Sequence, residues 1–150
     1  MHFALESPAF PDGGAIPKRF TGDGADVSPY LRWVDLPEGT QALAVVLKDP
    51  DAPSGPCYHW AAWNIPPVAR GLPEGHHPAG GGREALNDFH RRGYAGPRPP
   101  RGRGPPRYRV RLFALPRPLD LPEDADARAV ELAAEPQALA VAELSGIYER

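Results

Sequence analysis

Residues 41–66 read QALAVVLKDPDAPSGPCYHWAAWNIP, two apolar runs separated by a segment that holds three prolines and two aspartates. The first run, 41–47, contains Ala42, Ala44, Val45, Val46 and Leu47 between the turn-forming tetrads PEGT and KDPD; the second, 59–65, is HWAAWNI. Short apolar runs bounded in this way read as β-strands. Working outward, residues 30–34 and 108–115 form two more. In the last, Tyr108, Val110, Leu112 and Ala114 alternate with Arg109, Arg111 and Phe113, which predicts a strand with one face exposed. Trp33, Trp60 and Trp63 are expected in the core or packed on a sheet face.

Between the third and fourth strands lies a long Gly/Pro region containing GLPEG, GHHPAGGG and GYAGPRPPRGRGPP. Connections of that length are usually functional or disordered. Helical patterning is confined to the last thirty residues or so, at 128–134 and 136–144, with Pro136 suited to a first turn and Gly146 to a terminator. Strands followed by helices predict a mainly β fold: a central antiparallel sheet with short C-terminal helices packed at one side.

The chain has 150 residues, of which 21 are proline and 16 glycine, a composition near the low-complexity range. A hydrophobic content of 41% and a net charge of only -2 argue instead for a folded chain, read as one domain over residues 1–150. Proline at this density is incompatible with a long helical bundle. Cys57 is the only cysteine, which excludes an internal disulfide and any multi-cysteine metal site. The first ten residues, MHFALESPAF, lack a signal pattern, and no apolar run reaches the length of a membrane span. A cytoplasmic protein without a membrane span is expected.

Charge is segregated along the chain. Residues 1–82 sum to -4, 83–117 to +8 and 118–150 to -6. The basic segment carries proline where a nucleic-acid binder interleaves aromatics for base stacking, so no nucleic-acid partner is expected. Its arginines are expected to pair with acidic residues across the fold or on a second subunit.

Two features could carry chemistry. Asp49-Pro50-Asp51-Ala52-Pro53 follows a strand directly, and His59 opens the next; the prolines stiffen the connection. Two carboxylates near a histidine can hold a ligand, bind a metal with help from His76 or His77, or simply form Asx turns, and the turn is the commoner use. His76 and His77 sit in a Gly-rich loop and are expected to face solvent. The second feature is residues 96–108, GPRPPRGRGPPRY, where glycines two apart allow backbone N–H groups to converge on an anion.

Taken together, SPYLRWVDLPEGTQALAVVLKDPDAP at 28–53, YHWAAWNIP at 58–66, NDFHRRGYAGPRPP at 87–100 and GPPRYRVRLFAL at 104–115 resemble the phosphatidylethanolamine-binding proteins, and among them the bacterial Raf kinase inhibitor-like branch. The ending AELSGIYER is similar to that family's helical tail. The resemblance implies a central antiparallel sheet flanked by a smaller one and a small pocket that accepts phosphate-bearing headgroups. By the same resemblance Asp49, Asp51 and His59 correspond to the pocket's acidic and histidine members, Gly96, Pro99 and Pro100 to its backbone wall, and Tyr108 to the tyrosine that follows. A histidine beside carboxylates is expected to favour its protonated form and to donate to an oxyanion. Two positions depart from the pattern: Pro106 replaces a histidine, and Arg98 stands where relatives have cysteine or glycine. Arg98 either reaches the anion or folds onto Asp49 or Asp51 and occludes the cavity.

The leading reading is a non-catalytic binding protein for a small anion or phosphorylated ligand, modulating a protein kinase or protease as relatives do, with no cofactor. A homodimer is expected from the bacterial relatives and the opposed charge segments. The alternatives are a hydrolase or isomerase using Asp49, Asp51 and His59 as acid–base groups, with Cys57 on the same strand face as His59, and an arginine-rich interaction protein with a vestigial pocket.

Overall fold

A computed structural model describes residues 2–76 and 82–150; His77 lies outside the described residues. The four expected strands are all present, as β3 (Leu31–Val34), β4 (Ala42–Asp49), β5 (Cys57–Ile65) and β8 (Arg107–Leu115). Short strands β1 (Ala4–Glu6), β2 (Gly14–Ala15), β6 (Gly71–Leu72) and β7 (Arg83–Glu84) complete the edges. One helix, α1 (Ala127–Ala134), precedes a last strand, β9 (Ala140–Ile147). The larger sheet has the order β2-β9-β8-β4-β5-β7 and the smaller β1-β3-β6. Among the named strands of the described residues, every pairing is antiparallel except β2 with β9.

β4 lies at the centre of the larger sheet and is apolar on both faces, because both are covered. Leu43, Val45 and Leu47 face the smaller sheet, in one core with Leu31, Trp33, Trp60, Tyr108, Val110 and Leu112. Ala42, Ala44 and Val46 face α1, in a second core with Trp63, Phe113, Leu115 and Val130. The helix starts where Asp126 accepts a hydrogen bond from the N–H of Ala129 at 2.8 Å, an N-cap that satisfies one of the free donors of the first turn. Its buried residues Ala127, Val130, Glu131 and Ala134 lie on one side.

Two expectations need correction. The segment 136–144 is not a second helix: a 3₁₀ turn at Glu135–Gln137 leads into β9. Ala, Glu and Leu favour helix locally, but AVAELSGI also alternates, burying Ala142, Leu144 and Gly146, and eight cross-strand pairs with β8 override the propensity. Gly146 accordingly stops no helix. A Cβ there would lie 2.5 Å from Cγ1 of Ile16 and 2.8 Å from the Phe10 ring, so glycine permits that close approach. The second face of β8 is also less exposed than its alternation suggests, since Phe113 packs under α1 and Arg111 is half-buried against Glu131.

Candidate functional site

The pairing of β4 with β5 slips at the end that carries Asp49. Leu47 pairs with Trp60 and Lys48 with Tyr58, so His59 is an extra residue bulged out of the ladder. A bulge redirects a side chain and ends regular pairing. His59 thereby faces a cavity of about 150 Å³ at the sheet end, in company with Asp49, Cys57, Phe89, Arg98, Pro99, Pro100, Arg103 and Tyr108.

Of the residues expected at the site, Asp49, His59, Arg98, Pro99, Pro100 and Tyr108 therefore line one cavity. Asp51 and Gly96 do not. Asp51 is exposed, and its N–H donates to Asp49 Oδ1 at 3.1 Å, the Asx turn that the DPDAP pattern allows. Gly96 is buried beside a neighbouring groove, where its N–H donates to Asp26 Oδ1 at 2.6 Å.

His59 is held between rings, 5.1 Å from Phe89 and 5.4 Å from Tyr108. Its Nδ1 lies 2.7 Å from the carbonyl of Ala95, so Nδ1 carries the proton and, in the neutral ring, Nε2 carries the lone pair. The expected bias toward imidazolium is not realised. Burial pushes the His59 pKa below its usual 6.5, outweighing the carbonyl of Ala95 and the charge of Asp49, both of which favour the proton. Burial also raises the Tyr108 phenol, with the charge of Asp49 adding to it.

Neither outcome expected for Arg98 describes the structure fully. Arg98 stands at the rim, 66% exposed and 3.9 Å from Asp23. The arginine that folds onto Asp49 is Arg103: its Nη1 donates to Asp49 Oδ2 at 2.6 Å and its Nη2 to the carbonyl of Asp51 at 2.9 Å. Asp49 is 2% exposed and both of its oxygens are engaged. Sequence reasoning missed Arg103 and Phe89. The available signal for Arg103 was its flanking glycines, both at positive φ (79° and 93°), which turn the chain sharply on either side of it. Pro106, in place of the family's histidine, is buried and accepts a hydrogen bond from the N–H of Tyr148.

Three further arginines of the basic segment pair with carboxylates of the same chain. Arg109 and Arg111 meet Glu143 on the adjacent strand, Arg111 also meets Glu131 and Glu135, and Arg91 lies 3.6 Å from Asp26. His76 is buried, not solvent-facing. Among the described residues no group of three or more His, Cys, Asp or Glu is arranged to hold a metal ion.

Two sheets, a bulged histidine and a proline-walled cavity define a known class. This chain belongs to the phosphatidylethanolamine-binding protein family, whose model matches residues 6–149. It is 43% identical to a UPF0098 protein of Aquifex aeolicus over 148 residues, covering 96% of this chain and 86% of the relative. It is 41% identical over 146 residues to LppC of Mycobacterium tuberculosis, a protein named as a candidate lipoprotein, covering 95% of this chain and 72% of that one. The crystal structure of YbcL from E. coli, described as a new member of the mammalian family, superimposes with a TM-score of 0.93 at 29% identity, covering 100% of this chain and 99% of YbcL. Membership makes this a binding protein in kind. Among the described residues no helix is long and apolar enough to cross a membrane.

Proposed function

We propose that this chain is a non-catalytic binding protein whose cavity takes a small oxyanion, such as a phosphate-bearing headgroup or a phosphorylated side chain, and that it modulates a protein kinase or protease through that site. The observation that carries the reading is the convergence of two guanidinium groups, Arg98 and Arg103, with Tyr108 and the His59 ring around a space of about 150 Å³. Guanidinium forks match oxyanions in shape as well as charge. The thiol that lines the cavity favours binding over turnover, because burial and the charges of Asp88 and Asp49 push Cys57 up to about 11 and away from the nucleophilic thiolate. A cytoplasmic homodimer accords with this reading.

The test is a thermal-shift and ligand-observed NMR screen with inorganic phosphate, acetate, O-phosphoethanolamine and phosphotyrosine. At least one should raise Tm as a ligand of the native state does, and Arg98→Ala together with Tyr108→Phe should weaken the effect. No shift with any of the four would sink the proposal. Release of phosphate from phosphotyrosine, lost in His59→Ala, would replace it with the hydrolase reading.

A further inference from the structure

The charges lining the cavity carry more information than its shape. Asp49 is the only carboxylate among the lining residues, and Arg98 and Arg103 are the only fixed cations. A zwitterionic headgroup needs two counter-charges, a cation for its phosphate and a carboxylate for its ammonium. The carboxylate here is already taken. Asp49 Oδ2 accepts from Arg103 at 2.6 Å and Oδ1 from the N–H of Asp51 at 3.1 Å, with the Asp49 side chain 3% and the Arg103 side chain 17% exposed. An ammonium could reach Asp49 only by displacing a half-buried, hydrogen-bonded guanidinium, which would leave Arg103 to find another partner.

Arg103 is not exhausted by these contacts. A guanidinium has five N–H donors, and the hydrogen bonds to Asp49 and Asp51 use one on Nη1 and one on Nη2. The remaining donors belong to a side chain that lines the cavity. Arg98, 66% exposed and held by Asp23 only at 3.9 Å, can swing to the same anion from the rim. His59, neutral with its lone pair on Nε2, adds an acceptor for a protonated phosphate oxygen and no countercharge.

We infer that Arg103 sets the ligand class of this pocket: by occupying Asp49 it admits oxyanions that carry no ammonium group, such as phosphomonoesters and carboxylates, and discriminates against phosphoethanolamine. This rests on the reading of the cavity as an anion site and specifies it. The family's name describes a zwitterionic ligand, whereas these residues favour a purely anionic one. The Gly102-Arg103-Gly104 turn supports the assignment, because both glycines lie at positive φ with open space where a Cβ would stand. They serve the backbone turn that carries Arg103 to Asp49, and no packing requirement accounts for them.

The experiment is calorimetric titration of the full chain with methyl phosphate, acetate and O-phosphoethanolamine, for wild type, Arg103→Gln and the double variant Asp49→Asn/Arg103→Gln. Wild type should bind methyl phosphate about tenfold or more tighter than O-phosphoethanolamine, the scale set by an ammonium that finds no counter-charge. Arg103→Gln should weaken methyl phosphate and move the ratio toward O-phosphoethanolamine, since Asp49 becomes available. The double variant removes both charges while leaving two neutral amides able to hydrogen-bond, and should bring the ratio close to one; it carries the test if Arg103→Gln does not fold. A wild-type ratio near one or favouring O-phosphoethanolamine overturns the inference, as does a ratio that neither variant changes. If no probe binds any form of the protein, the anion-site reading itself fails and this inference with it. Binding of methyl phosphate with an immovable ratio defeats the inference alone.

Discussion

His59 and Ala95 hold each other twice: the N–H of Ala95 donates to the carbonyl of His59 at 3.0 Å, and His59 Nδ1 donates back to the carbonyl of Ala95 at 2.7 Å. The bulge in β5 makes this reciprocity available, because the extra residue keeps its carbonyl out of the sheet ladder. The segment after Ala95 runs on into Gly96, Pro99 and Pro100, so the same pair of bonds ties the proline wall to the sheet.

That arrangement predicts a pH dependence. Folding lowers the His59 pKa below 6.5, so the unfolded chain takes up the proton first; the stability contributed is complete above 6.5 and is lost as pH falls below it toward the folded value. Urea midpoints measured between about pH 8 and about pH 5 should fall for wild type. In His59→Gln the fall over that interval should be smaller. Equal slopes would show that the ring does not titrate as a buried neutral group.

A second prediction concerns the buried ion cluster beneath α1. Glu131 accepts from Lys48 Nζ at 2.9 Å and from the Tyr58 hydroxyl, and lies 3.2 Å from Arg111 Nη1. Burial raises its carboxyl, but these donors outweigh burial and hold it below 4.5. The resulting stability is present above 4.5 and is lost as pH falls through the lowered value. Glu131→Gln takes the counter-charge from Lys48 and one of three carboxylate partners from Arg111, and should cost about 3 kcal/mol, read by denaturant unfolding at neutral pH. A loss under about 1 kcal/mol would show that solvent already screens the cluster.

Gly96 and Gly102 should respond differently to alanine. A Cβ on Gly96 would lie 2.3 Å from the carbonyl oxygen of Phe20 and 2.8 Å from Cα of Thr21, both backbone atoms. Gly96→Ala should cost about 3 kcal/mol by overpacking and weaken anion binding by moving the wall. Gly102 has φ +79° and nothing within 4 Å of its added Cβ, so the penalty there is backbone strain alone. Gly102→Ala should cost about 1 kcal/mol. The same denaturant series compares them, and a reversed order would contradict the geometry.

Cys57 should be a poor nucleophile. Burial first, then the charges of Asp88 and Asp49, raise its thiol from 9.0 to about 11. At pH 8 its thiolate fraction, and so its alkylation by iodoacetamide, should be about a hundredfold lower in the native protein than in the same chain unfolded in guanidinium. Comparable rates in the two states would reopen thiol chemistry at this site.

Part of the cavity lining is legible locally, since Asp49 and His59 flank a proline-fixed connection between two strands. Pro99, Pro100 and Tyr108 are assigned to it by the resemblance to the family, not by any short-range rule. At Asp51 an Asx turn and a cavity wall look alike in sequence; only the direction of the Asp49 carboxylate separates them. Arg103 was missed because ten basic residues between 83 and 117 look equivalent until the partner of each is known. The strand at 140–147 was hidden by helix-forming residues whose conformation depends on β8, far away in sequence.

By itself, then, the sequence determined the β character of the chain, its four principal strands, and the rigid proline framework around a polar site, all consequences of backbone restriction and hydrophobic alternation between near neighbours. The tertiary structure decided the lowered pKa of His59, the capture of Asp49 by Arg103 and the last strand. Each of these depends on desolvation or on a partner tens of residues away, which local alternation or flanking glycines alone do not identify.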